Sequence, residues 1–164
     1  MLDAYLGAEA ELAPENLPDD LSKFAIVHLV ALGEARRQLD FFDGCRQRGA
    51  RRISAGTFSR AVAAEPDTVR RLLAQADLFF MNESEATGLF GSAEAARTAA
   101  GKLLFVTLGE RGALVIQGDH VTHVPGQPAV ELDPTGAGDT FCGATLAGLA
   151  RGEHPVMAAR SAIA

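Results

Sequence analysis

A chain of 164 residues, 48% of them hydrophobic, suits a single globular domain that buries roughly 70% of its unfolded surface. Its net charge of −6, with no sustained basic run, argues against a nucleic-acid partner, because holding a phosphate backbone needs clustered Lys and Arg. No apolar run approaches the ~18 residues that cross a bilayer and the N-terminus lacks the basic-then-apolar order of a signal peptide, so a cytoplasmic protein with no membrane role is expected.

Residues 1–20 are rich in Glu, Asp, Pro and Ala and read as a surface connection in which Pro14-Glu15-Asn16-Leu17 starts a helical turn. Phe24–Val30 is a nearly continuous apolar run, the mark of a strand buried on both faces, and His28 within it reads as a core or strand-end histidine rather than a ligand. From Gly33 to Arg48, Ala35, Leu39, Phe42 and Cys45 share one helix face, Gly44 is a mild break, and Gly49 closes the helix. Arg46, Arg48, Arg51 and Arg52 then read as a solvated helix terminus favoured by the dipole. Arg52–Phe58 is a second strand, and Glu65-Pro66-Asp67 opens a helix that turns Val69, Leu72 and Leu73 inward.

Leu78–Met81 is a third strand, and Asn82-Glu83-Ser84-Glu85 follows it directly. Ligands gather at the carboxyl ends of parallel strands, so these polar groups are placed for binding; a plain helix cap at Asn82 is the competing reading. Ser92 is expected to cap a helix running through Ala100, and Leu103–Thr107 is a fourth buried strand. Thr107-Leu108-Gly109-Glu110-Arg111-Gly112-Ala113 reads as a hairpin turn before a strand at Ala113–Gln117, with Gly118-Asp119 a second tight turn. His120 and His123 lie an odd separation apart in an extended segment, so they point to opposite faces and no metal is assigned to them. Val121, Val124, Val130 and Leu132 continue extended structure around Pro125-Gly126, and His154-Pro155 begins a final helix that stops at Ala164 as though cut. Strands alternating with helices predict right-handed βαβ units: a three-layer α/β sandwich with a mostly parallel central sheet and helices on both faces.

The chain is organised around Asp133–Gly143, a glycine-bearing turn that runs into an apolar helix carrying Phe141, Ala144, Thr145, Leu146, Gly148 and Leu149 and stopping at Arg151-Gly152. Gly136 and Gly138 let backbone N–H groups converge on an anion, and the positive end of the helix dipole favours phosphate there. A carboxylate at Asp139 repels such a ligand unless it has its own task, and general base toward a hydroxyl is one; an ordinary N-cap aspartate is the other reading. Cys45 and Cys142 are too few for a disulfide framework, and Cys142 is expected to be a buried, inert thiol. There is no Gly-x-x-x-x-Gly-Lys-[Ser/Thr] loop, since Gly101-Lys102 is followed by Leu103, and the protein-kinase elements are absent.

Asp133-Pro134-Thr135-Gly136-Ala137-Gly138-Asp139-Thr140-Phe141 resembles the C-terminal signature of the ribokinase-like (PfkB-type) sugar and nucleoside kinases, Asp-x-Thr-Gly-Ala-Gly-Asp-x-Phe. By that resemblance Gly136, Ala137 and Gly138 stabilise the transferring phosphoryl group and Asp139 activates the acceptor hydroxyl. Asn82-x-x-Glu85 is similar to the family's Asn-x-x-Glu element, which orients the Mg2+-associated phosphate and its waters. Thr107, Gly109 and Gly112 match the segment that lies along the ATP, and Asp133 and Thr135 match a loop able to hold a monovalent cation such as K+.

The resemblance implies ATP-dependent phosphoryl transfer to a hydroxyl of a small sugar, sugar acid or nucleoside. Family members are considerably longer, and their N-terminal strands, Gly-Gly signature and lid are not recognisable here. Many carry an aspartate at the end of the second strand where this chain has Ala55-Gly56-Thr57. Residues 1–164 are therefore expected to form one α/β domain, the C-terminal nucleotide-binding and catalytic part of a longer kinase, with a free sheet edge that favours a homo-oligomer. A non-catalytic nucleotide-binding or assembly module, or an inactive truncated kinase fragment, is the alternative.

Overall fold

The computed structural model describes residues 11–129, 133 and 135–163. Among these residues a 3-10 turn at Pro14–Asn16 leads to six strands, β1 (Val27–Leu29), β2 (Ile53–Gly56), β3 (Leu78–Asn82), β4 (Leu103–Thr107), β5 (Ala113–Gln117) and β6 (His120–Val124). The helices are α1 (Ala35–Gln47), α2 (Ser59–Ala64), α3 (Pro66–Gln75), α4 (Glu83–Phe90), α5 (Ala137–Ala150) and α6 (Pro155–Ile163). All six strands form one sheet in chain order, β1 through β6. β1 to β4 are parallel, and β5 and β6 extend the sheet as an antiparallel hairpin.

Because each new parallel strand is added on the same side of its predecessor, right-handed crossovers must place every connecting helix on one face. That face is the larger core, where Leu39, Phe42, Val69, Leu72 and Ala86 of the crossover helices meet Ile53, Phe79, Met81, Leu104 and Val106 of the sheet. The opposite face is covered by α5 and α6, whose Phe141, Cys142, Leu149, Ala158 and Ala159 meet Leu78, Phe80, Leu103, Phe105 and Val115. Alternation along each strand sends neighbouring side chains to the two layers in turn. Both faces are thus covered, the second by the helices after the hairpin rather than by crossovers.

The expected inward face of α1 is buried as read, with Ala35, Leu39, Phe42 and Cys45 no more than 7% exposed. Gly44 is a contact rather than a break: a Cβ there would come within 3.1 Å of Pro14 and Leu17, so its absence lets the 3-10 turn lie on α1. Arg46 donates to the carbonyls of Ala50 and Arg51 and pairs with Asp77 at 2.6 Å, satisfying groups at the end of α1. β1 is shorter than the apolar run around it, and Phe24 and Val30 at the flanks are 43% and 59% exposed.

One expected helix is absent, and one helix forms where none is expected. No helix spans Ser92–Ala100: Gly91 ends α4 in the left-handed region at φ 89°, and the Ser92 hydroxyl accepts from the Ala95 N–H in a local turn. Only the small side chains Ala93 and Ala96 are buried in that stretch, too little apolar area to fasten a helix to the sheet. Between β2 and α3 the chain also forms α2, which lacks a periodic pattern of its own. Glu65, held out of the helical region ahead of Pro66, separates the two helices. The extended structure expected at Val130 and Leu132 lies outside the described residues.

Candidate active site

β3 and β4 end in register, with Asn82 opposite Thr107, so the two polar segments read from the sequence emerge side by side at one rim of the sheet. Asn82 is the N-cap of α4: its Oδ1 accepts from the Glu85 N–H at 2.9 Å, and Glu85 Oε2 accepts from the Asn82 N–H at 2.9 Å. The capping reading is therefore realised in full. Glu85 is only 5% exposed, and burial raises its carboxyl above the usual range against the opposing hydrogen bonds from Asn82 and Ser59. A carboxylate so enclosed and so occupied suits contact with a magnesium ion through water or phosphate better than direct ligation.

Beyond Thr107 the chain makes a 3-10 turn at Gly109–Arg111 before β5, so the hairpin reading of this segment holds. Gly112 has φ 94°, and a Cβ there would overlap the Val124 carbonyl oxygen and the Gly126 nitrogen. Glycine at 112 is thus required by both conformation and close approach. Arg111 pairs with Glu83 at 2.5 Å, tying this turn to the first turn of α4. Sequence reasoning did not single out Arg111 or Glu83, since their attraction spans 28 positions and carries no local pattern. His123 Nε2 donates to the Arg111 carbonyl at 2.8 Å from the other side.

Gly136 is the N-cap of α5, at φ 80° and ψ 0°, and its carbonyl accepts the first helical bond, from the Thr140 N–H at 2.8 Å. Asp139 is consequently the third residue of the helix, so the reading of it as an N-cap aspartate is corrected. The amides of Ala137, Gly138 and Asp139 lie in the first turn, where helix N–H groups lack intrahelical partners. Ala137, Gly138, Asp139 and Thr140 are all exposed. Nothing described in the chain comes within 4 Å of a Cβ built on Gly138, so the fold itself does not demand a glycine there. Asp133 Oδ1 accepts from the Thr135 N–H at 2.8 Å, and this bond and one from the Thr135 side chain hold its carboxyl below the usual range.

The next turn of α5 fixes where that terminus sits. Phe141 makes edge contacts with Phe80 of β3 and Phe105 of β4, centroids 6.3 and 6.4 Å away. Those strands are the ones that end in Asn82 and Thr107, so α5 begins over the same part of the sheet. Asn82 bonds to Glu85 and stands opposite Thr107 in the sheet, a cluster joined through the Glu83–Arg111 pair to the Gly109 turn. Among the described residues no hydrogen bond or ion pair links Asp139 to that cluster. Nor does any group of three or more His, Cys, Asp or Glu among them lie close enough to hold a metal unaided.

The family model described as pfkB family carbohydrate kinase matches residues 4–164. The chain is 36% identical over 104 residues to a cytidine kinase of Thermococcus kodakarensis, which covers 58% of this chain and 37% of that protein. It is 31% identical over 146 residues to an inositol 3-kinase of Oryza sativa subsp. japonica, covering 89% of this chain and 33% of that one. Among solved structures it is similar to an aminoimidazole riboside kinase from Salmonella enterica, with TM-score 0.78 and 23% identity over 98% of this chain and 60% of the other. It is also similar to an adenosine kinase from Sinorhizobium meliloti, with TM-score 0.77 and 22% identity over 93% and 51%. The chain thus spans between 30% and 37% of the length of the curated relatives it matches. On its motifs, its sheet and this match, the chain belongs to the pfkB family of carbohydrate kinases.

Proposed function

We propose that this chain provides the nucleotide-binding and catalytic part of a cytoplasmic kinase that transfers a phosphoryl group from ATP to a hydroxyl of a small sugar, sugar acid or nucleoside. The observation that carries the reading is the start of α5. Gly136 turns the chain so that three first-turn amides precede the first helical bond, and an exposed carboxylate follows them at Asp139. Phosphoryl transfer depends on positioning and charge stabilisation, and this arrangement offers both. The amides of Ala137 and Gly138, with Gly136 opening the turn, offset charge on the phosphoryl oxygens. Asp139 accepts the acceptor hydroxyl's proton.

Thr107, Gly109 and Gly112 lie along the nucleotide in this reading, and Asn82 and Glu85 orient the phosphates through Mg2+ and its waters. Magnesium, when bound, neutralises charge on the phosphates. Asp133 and Thr135 would hold K+ or another monovalent cation, with the Asp133 carboxylate ionised and already turned toward its own loop. That the chain spans about a third of its curated relatives favours a second reading, a non-catalytic nucleotide-binding or assembly module that works with another chain.

The test couples ADP release to a panel of pentoses, hexoses, keto-deoxy acids and nucleosides, run on the 164-residue chain alone and on a version extended upstream. We expect the chain alone to bind adenine nucleotide weakly and the extended version to show acceptor-dependent turnover, since transfer needs both reactants held in line. Nucleotide binding without turnover in both would support the module reading.

A further inference from the structure

Beneath the first turn of α5 lies a polar contact that the chemistry above does not use. His28 projects from β1 with Nδ1 3.0 Å from the Ser54 hydroxyl and Nε2 3.6 Å from Cys142 Sγ, its ring edge-on to Phe80. Ser54 is fully buried and Cys142 is 7% exposed. Burial, then the Asp139 charge, pushes the Cys142 thiol up to about 12, so Sγ keeps its proton and can donate to Nε2. His28 then carries its own proton on Nδ1 and donates to Ser54. Burial also lowers His28 below its ordinary value, with the nearby Asp139 carboxylate opposing, so the ring is neutral at pH 7. Cys142 follows Asp139 by three residues, on the same side of α5.

We propose that His28 is a positioning residue for Asp139: wedged between Ser54 and Cys142, it seats the first turn of α5, and when protonated it engages the Asp139 carboxylate and withdraws it as a base. The groups facing the ring are Ser54 from β2, Phe80 from β3 and Cys142 from α5. Asp139 is the one charged group among the described residues that acts on it. Imidazolium has two N–H donors and no acceptor, so protonation ends the thiol's bond to Nε2 and frees that edge for a carboxylate. The proposal rests on the reading of Asp139 as the base.

The test is an NMR titration of the His28 ring in the 164-residue chain and in Asp139→Asn, an exposed position where the fold should survive. We expect the Nδ1–H tautomer at pH 7, and a His28 pKa at least ~0.3 lower in the variant because a stabilising negative charge is gone. In His28→Gln, with His28→Asn as a second variant, the amide shifts of Ala137–Thr140 should move. The acid limb of any measurable turnover should extend to lower pH by roughly half a unit or more. A His28 titration unchanged by Asp139→Asn, or unmoved amides in both His28 variants, would overturn the proposal and leave the base reading standing. Turnover retained in Asp139→Asn would sink the base reading and with it the withdrawal of the base by His28, even if the His28 titration shifts as expected.

Discussion

Asn82 and Glu85 bond to each other in both directions across the first turn of α4. The Glu85 N–H reaches Asn82 Oδ1, while the Asn82 N–H and Nδ2 reach the two carboxylate oxygens at 2.9 and 2.8 Å. One pair of side chains thus terminates the helix and presents the carboxylate at the rim where β3 and β4 end. Truncating either side chain perturbs a fold element and the proposed metal-phosphate element together.

Glu85→Gln separates the two roles. Its effect should appear as a higher Mg2+ concentration for half-maximal activity in the upstream-extended form, with little change in acceptor affinity. Because burial raises the Glu85 carboxyl, its contribution to stability is fully present below the ordinary 4.5 and is lost as pH rises through the higher folded value. Thermal melts should therefore show wild type losing stability relative to Glu85→Gln as pH rises from 4.5 toward 7. An unchanged Mg2+ dependence, with only the melting curve altered, would leave Glu85 as a cap and nothing more.

Asp139→Asn should leave nucleotide affinity equal or slightly higher, since a negative charge at the start of α5 is removed, while turnover falls by at least ~10²-fold. Steady-state kinetics on the upstream-extended form, paired with calorimetric binding, checks both halves. Turnover within a few-fold of wild type rules out the base role.

Gly112→Ala should destabilise the chain by about 2 kcal/mol or more, since it adds left-handed strain to an overlap with the Val124–Gly126 backbone. Gly101→Ala shares the positive φ but meets nothing within 4 Å, so it should cost only about 1 kcal/mol. Chemical denaturation of the two variants side by side tests the difference, and equal losses would mean that the close approach is relieved elsewhere.

Neither thiol should react readily in the native chain. Cys45 is fully buried, Cys142 nearly so, and burial raises both thiols, Cys142 to about 12. A thiol-exchange reagent at pH 8 should label neither within minutes and both after unfolding. Fast labelling of Cys142 would show that its contact with His28 opens in solution.

The strands at residues 78–82, 103–107 and 113–117, and helices α1, α3, α5 and α6, were legible from local patterns. Apolar runs, a 3.6-residue period, Pro66, and the glycines at 49 and 136 act on neighbouring residues whatever the rest of the chain does. The same holds for the Asn82 cap and for the turn into α5, where the order of residues dictates the conformation. Local pattern failed at Ser92–Ala100, where a cap residue and alanines suit a helix but offer too little to bury. It was silent about α2, whose existence depends on the space between β2 and α3.

Only the tertiary structure decided which groups meet across distance. It put Arg111 beside Glu83, enclosed Glu85 behind Ser59, and set His28 against Cys142, 114 positions away. Those contacts follow from strand order and from which face each helix covers. Such a choice is made by the burial of the whole apolar surface at once, and no short stretch of sequence carries it.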